Sequence, residues 1–260
     1  MPGTVYDSLS SPFLAFLLTL LGLTFGSFAS VLITRIPTGE SLWTRSKCPY
    51  CERQVLAKEN IPIVSYLVLR AKCKGCGSRI SALYLILEVI MGIFFLSSIF
   101  IFRSWTEVLL WLILAALGLP LVVIDLQKHR LPDPLTVSLF TMSAIVILTS
   151  SIINSRFDRL LPSLIGSVSL VAFYLAVMFI SKGGMGMGDV KLSASIGLIS
   201  GYFGVKAVLI SCFSAYALGS VLGIALIMFG KAGRKTAIPF GPFMIVGQAV
   251  SLITISHSLL

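Results

Sequence analysis

Residues 107–125 read Glu-Val-Leu-Leu-Trp-Leu-Ile-Leu-Ala-Ala-Leu-Gly-Leu-Pro-Leu-Val-Val-Ile-Asp, an unbroken uncharged and mostly aliphatic run closed at each end by an acid. About 20 apolar residues are what an α-helix needs to cross the hydrocarbon of a bilayer. Comparable runs fill 12–34, 80–102, 134–153, 160–180, 204–229 and 238–258, and a shorter one at 188–201 ends in a Gly201–Gly204 turn. The pattern predicts an all-α, polytopic helical membrane protein with eight spans, the short run being a span packed inside protein. Composition agrees: 57% of the 260 residues are hydrophobic and 12% charged, against roughly 25% charged in soluble domains.

Charge orients the spans. Met1 to Ser11 carries Asp7 and no Lys or Arg, whereas a cleavable secretion signal begins basic. The first run is therefore expected to stay in the membrane, its N-terminus outside. Sixteen of the twenty Lys and Arg residues then fall in 35–80, 126–133, 181–191 and 230–237, all on the cytoplasmic side. Omitting the short span would send Lys231, Arg234 and Lys235 outside. The net charge of +10 is thus explained by anionic lipid at the inner face, and a nucleic-acid partner is excluded. No internal repeat or low-complexity tract is evident.

Three regions follow: a first span at 1–34, a hydrophilic cytoplasmic module at 35–80, and a membrane core at 81–260. In the module, Cys48-Pro-Tyr-Cys51 and Cys73-Lys-Gly-Cys76 have the spacing by which a chain sets four thiolates around one structural zinc, a zinc-ribbon-like insertion. Gly75 and Gly77 suit the tight turns. Two disulfides or a redox pair compete with zinc, but a reducing cytoplasm disfavours the first and one CxxC would serve the second. Between the pairs, Ile61 to Arg70 is too short to span and reads as an interfacial helix on the inner leaflet. Cys212, mid-span, reads as a small core hydrophobe.

Acids kept in a membrane are functional candidates. Asp133-Pro134 reads as a helix N-cap followed by proline, and Glu107 suits a helix start. Glu88 lies two turns inside its span, with no partner named by the sequence. His257 has no acid nearby. Asp125 ends the run quoted above, and Asp189 follows Gly183-Gly-Met-Gly-Met-Gly188. Both fall at the cytoplasmic boundary, where two carboxylates sharing one proton would form an aspartic-protease dyad. Gly186 and Gly188 would let a substrate backbone approach Asp189. The glycine run has neither nucleotide-loop spacing. Residues alone also allow a transporter using Asp125 and Asp189 for protons or ions, or a non-catalytic zinc-bearing assembly protein.

A set of motifs in fixed order runs the length of the chain. It comprises Gly26-Ser-Phe28, Arg35-Ile-Pro37, the two Cys pairs, Asn60-Ile-Pro62 with Ser65-Tyr66, and Tyr84 with Glu88. It continues with Asp125, Leu131-Pro-Asp133, Gly186-Met-Gly-Asp189-Val-Lys191 and Pro239-Phe-Gly-Pro242. In these the chain resembles the type IV prepilin peptidases, bifunctional leader peptidases and N-methyltransferases of pilus and type II secretion systems. The resemblance implies an intramembrane aspartic peptidase of the bacterial inner membrane, with Asp125 and Asp189 as its catalytic aspartates. It implies prepilin or pseudopilin substrates, cut after a short basic leader on the cytoplasmic face. S-adenosylmethionine would then methylate the new N-terminus. Three positions depart from the family: Ser30 where it has asparagine, Ala71 where it has glycine, and Leu85 where proline is frequent. All three lie in the N-terminal third, which the family links to methyl transfer.

Overall fold

The structure, a computed structural model, describes residues 11–181, 184–230 and 238–258. Asp7, Lys182, Gly183, Lys231, Arg234 and Lys235, used above for charge and motif, lie outside them. The described chain is helical, with isolated bridges and no extended strand. It forms two compact units, up to Phe100 and from Ile101 onward.

The first unit holds α1 (Pro12–Arg35), a five-residue α2 (Val64–Val68) and α3 (Ala82–Ile101). Glycines let α1 and α3 touch backbone to backbone. A Cβ on Gly26 would fall 2.5 Å from Glu88 Cα, and one on Gly22 would fall 2.7 Å from the Met91 carbonyl oxygen. In a membrane, where lipid is as apolar as leucine, such close packing supplies helix association. The Gly26 motif is therefore a contact surface. Arg35, buried at the end of α1, donates from Nη1 to the Ser41, Leu42 and Thr44 carbonyls, at 3.0, 3.3 and 2.6 Å. It ties down the loop that leads to the cysteines.

The interfacial helix expected at 61–70 is only the short α2, entered through Ile63 at φ 61°. Its Leu67 and Val68 side chains are exposed. The Ile63 N–H donates to Glu88 Oε2 at 2.7 Å, which is the partner that Glu88 lacked in the sequence.

The second unit contains α4 (Trp105–Lys128), α5 (Asp133–Ile153), α6 (Leu160–Ile180), α7 (Met187–Phe203), α8 (Val205–Met228) and α9 (Gly241–Ser258). Ser104 caps α4, accepting from the Glu107 N–H at 3.3 Å. Buried Pro120 interrupts the α4 ladder, which neighbouring helices make tolerable in a membrane. His129, in the left-handed conformation, ends α4 by donating to the Asp125 carbonyl at 2.8 Å.

Helix α7 is buried along most of its length and packs on α5, α6, α8 and α9. Its Gly197 and Gly201 lie against Gly166 and Pro162 of α6, where a Cβ on Gly201 would come within 2.5 Å of the Pro162 carbonyl oxygen. Ser163 and Ser167 seal the seam by donating to the Leu198 and Ala194 carbonyls at 2.6 and 2.9 Å. At 1.5 Å per residue, α7 is about 26 Å long, close to the hydrocarbon thickness of about 30 Å.

Among the described residues, six helices are long and apolar enough to cross a membrane: α1 with the turn after it, α3, α4, α5, α8, and α6 with the turn before it. The last apolar run yields a shorter helix than 238–258 suggested. It starts at Gly241, because Pro239-Phe-Gly-Pro242 supplies too few backbone donors to begin earlier and the Gly241 N–H is engaged elsewhere.

Candidate active site and metal centre

The C-terminal end of α4 and the N-terminal ends of α5, α7 and α9 meet at one end of the second unit. There the two sequence-predicted aspartates are buried. Asp125 lies in the last turn of α4, and its Oδ2 accepts the Gly241 N–H at 3.0 Å from the start of α9. Asp189 is the third residue of α7, and its Oδ2 accepts the Gly186 N–H at 3.1 Å. Each carboxylate is thus fixed by a glycine amide, a charge-assisted bond worth roughly 1.5–3 kcal/mol. The two carboxylates lie near enough to interact electrostatically.

Leu131 joins the two halves. A Cβ on Gly188 would fall 3.0 Å from Leu131 Cβ, and one on Gly241 would fall 3.0 Å from Leu131 Cδ2. Gly188 therefore makes room for Leu131, beyond the substrate access expected of it. Asp133 is the first residue of α5, not its N-cap: Pro132 takes that position, with no side-chain cap bond. The Asp133 carboxylate instead pairs with Lys191 at 2.6 Å. It clips the Leu131-Pro-Asp133 turn to the Gly-Asp-Val-Lys segment, although exposed pairs contribute only about 0–1 kcal/mol.

Sequence reasoning gave no role to Gly241, Leu131 or an aromatic group beside the aspartates. Phe240, Tyr174 of α6 and Tyr216 of α8 cluster with ring centres 5.0–6.2 Å apart. The motif spellings flagged two of these segments; nothing local in the sequence brings Tyr174 and Tyr216 together. Cys212, one turn before Tyr216, is half-buried, and His257 is exposed. Glu107 is buried and accepts the Arg103 N–H at 3.2 Å and the Ser256 hydroxyl at 3.4 Å.

In the first unit, Cys48, Cys51, Cys73 and Cys76 converge with all four Sγ atoms within 4.8 Å of one another. Cys48–Cys76 is 3.8 Å and Cys51–Cys73 is 4.0 Å. A tetrahedron with metal–sulfur bonds of about 2.3 Å has sulfur–sulfur edges of about 3.8 Å, whereas a disulfide needs about 2.05 Å. The spacing fits a metal and no disulfide.

The thiols cannot all ionise unaided. The N–H groups of Tyr50 and Cys51 bring Cys48 down to about 6, and the Ser78 hydroxyl also lowers Cys76. Against the Arg53 N–H, which favours its thiolate, burial and the neighbouring thiols push Cys51 up to about 11. A divalent cation resolves that conflict, since coordination deprotonates thiols.

A repeat invisible in the sequence appears here. Cys48 donates its N–H to Arg53 O and accepts from Glu52; Cys73 donates to Ser78 O and accepts from Gly77. The bridges Lys47–Gln54 and Lys72–Arg79 match as well. Segments 46–55 and 71–80 are therefore the same turn used twice, and share little more than Lys-Cys-x-x-Cys, too short to register as a repeat. Ala71 sits at φ 57°, a left-handed conformation that favours glycine.

Beside this centre, a cavity of about 660 Å³ is lined among others by Ser30, Asn60, Tyr66, Tyr84 and Glu88, within the size range of small-molecule sites.

Known proteins align with both units. The model of the bacterial peptidase A24 N-terminal domain matches residues 20–102, and that of the type IV leader peptidase family matches residues 108–228. Prepilin leader peptidase/N-methyltransferases are similar along most of the chain. The one from Stutzerimonas stutzeri is 31% identical over 96% of this chain and 94% of its own. That of Bacillus subtilis (strain 168) is 29% identical over 91% and 93%. That of Myxococcus xanthus (strain DK1622) is 35% identical over 86% and 67%. No solved structure matches.

Proposed function

Because this chain belongs to the type IV leader peptidase family, we propose that it is a membrane-embedded aspartic endopeptidase that removes the leader from prepilins or pseudopilins and methylates the new N-terminus. The observation that carries the peptidase reading is the pair of buried carboxylates, Asp125 and Asp189, each fixed by a glycine N–H at one end of the helical unit. One carboxylate takes a proton from water as its oxygen attacks the scissile carbonyl carbon. The other, protonated, gives its proton to the carbonyl oxygen. Collapse of the resulting diol breaks the C–N bond, and the departing amine takes up a proton. Gly186 and Gly188 line the approach to Asp189.

A transporter would hold its acids near the midplane. These lie in the last turn of α4 and the first turn of α7, which disfavours that reading. We place the site and the cysteine module at the cytoplasmic face of the bacterial inner membrane, with α7 and α9 completing eight spans and α2 resting on the inner leaflet. The excess of Lys and Arg in the loops at that end supports this orientation.

Four thiolates with no open position make a tetrahedral site of the kind that holds structural zinc. S-adenosylmethionine, when bound, supplies the methyl group. Tyr66 and Tyr84 would take its purine, and Ser30, Asn60 and Glu88 its polar groups, in the 660 Å³ cavity. The test is co-expression with a prepilin, with leader loss read on a gel and methylation of the product by mass spectrometry. An uncleaved prepilin beside accumulated, inserted protein would overturn the peptidase reading.

A further inference from the structure

Tyr216 stands out among the polar groups of the second unit that the dyad chemistry leaves unused. Its hydroxyl oxygen is shut off from solvent and has no hydrogen-bond partner among the described residues. A buried hydroxyl without a partner costs roughly 1–3 kcal/mol, so one that persists invites a role in a complex rather than in the free protein. The ring is held on several sides, its centre 5.0 Å from Phe240, 5.9 Å from Tyr174 and 5.9 Å from Phe173. Phe240 directly precedes Gly241, whose N–H holds Asp125. The Tyr216 hydroxyl is also close enough to Asp189 to feel its charge. The ring is thus anchored on Phe240, the residue before the glycine that holds Asp125, and its donor is unspent among the described residues.

We propose that Tyr216 is a third polar group of the active site, donating a hydrogen bond to the scissile carbonyl oxygen of the bound peptide as that oxygen gains charge. This rests on the peptidase reading above. A preorganised donor in a water-poor site stabilises the developing charge without reorganising. It would complement the acid of the dyad, which delivers its proton to the same oxygen. The unsatisfied hydroxyl is then a cost carried by the free enzyme and relieved on substrate binding.

Tyr216→Phe keeps the ring and its three aromatic neighbours and removes only the hydroxyl. In detergent-purified enzyme with a prepilin substrate, kcat should fall about ten-fold with KM within two-fold, a loss equal to about 1.4 kcal/mol. Thermal stability should be unchanged or higher, because the orphan hydroxyl is gone. A hydroxyl that mattered only to the fold would lower stability and leave kcat alone, and that result would overturn the proposal. So would wild-type kcat at unchanged stability. Should Tyr216→Phe not accumulate, Tyr216→3-fluorotyrosine, which retains the hydroxyl with a shifted acidity, should still change kcat; an unchanged kcat refutes the idea. If wild-type enzyme itself fails to cleave, the peptidase reading falls instead.

Discussion

Replacing Gly241 by alanine tests how the site holds Asp125. The substitution costs the backbone little, since Gly241 opens α9 without a positive φ. The added Cβ would sit 2.7 Å from Asp125 Oδ2 and 3.0 Å from Leu131 Cδ2, where ordinary contact begins near 3.4 Å. The carboxylate must therefore withdraw by about 0.7 Å, and Leu131, wedged against Gly188, offers little room on its side. Withdrawal weakens the bond from the Gly241 N–H, worth roughly 1.5–3 kcal/mol, which converts to about 10- to 150-fold in rate. A displacement approaching 1 Å in a catalytic group independently costs about 100-fold. We expect Gly241→Ala to insert and accumulate normally and to cleave prepilin about 100-fold more slowly. Gly223→Ala is the matched control: its Cβ meets only Ile238 Cδ1, at 3.7 Å, and activity should be unchanged. If Gly241→Ala retained more than a third of wild-type cleavage, the carboxylate would not depend on this amide and the reasoning would be refuted.

Asp125→Asn and Asp189→Asn should each abolish leader removal in the gel assay without loss of protein, and wild-type cleavage by either would end the dyad reading. Asp133→Asn should reduce cleavage no more than about five-fold, since its exposed pair with Lys191 is worth about 1 kcal/mol at most. Purified protein should carry about one zinc per chain by metal analysis, and Cys→Ser at 48, 51, 73 or 76 should lower both zinc and yield; zinc-free, disulfide-bonded protein would contradict this. Ala71→Gly removes a left-handed alanine costing about 1 kcal/mol, so zinc loss to a chelator should slow about five-fold. No slowing would show that the strain at Ala71 is absorbed elsewhere.

The elements themselves were largely legible because apolar runs of span length have few other uses. The short run at 188–201 became a helix from Met187 to Phe203, buried as expected. Asp125, Asp189 and the cysteines could be picked out because ionised groups and paired thiols are conspicuous in such a composition. What the sequence withheld were relations between distant backbones. The Ile63 amide that holds Glu88, the Gly241 amide that holds Asp125 and the Lys191 ammonium that holds Asp133 are 25, 116 and 58 residues from their carboxylates. The N-cap expected at Asp133 failed for the same reason. A local rule saw the proline that follows and had no view of a lysine in another helix. The duplicated cysteine turn escaped because it is written in hydrogen bonds more than in side chains.

The two aspartates differ in how soon each could be made ready during synthesis. Asp189 is secured by the amide three residues before it, so its setting exists once α7 has coiled. Asp125 waits for Gly241, which leaves the ribosome 116 residues later. A chain stalled or truncated before that point would possess both acids and the glycine loop but not the amide that holds Asp125. The setting of Asp125 is in this way completed later in synthesis than that of Asp189. The amide that fixes Asp125 is supplied only when α9 begins.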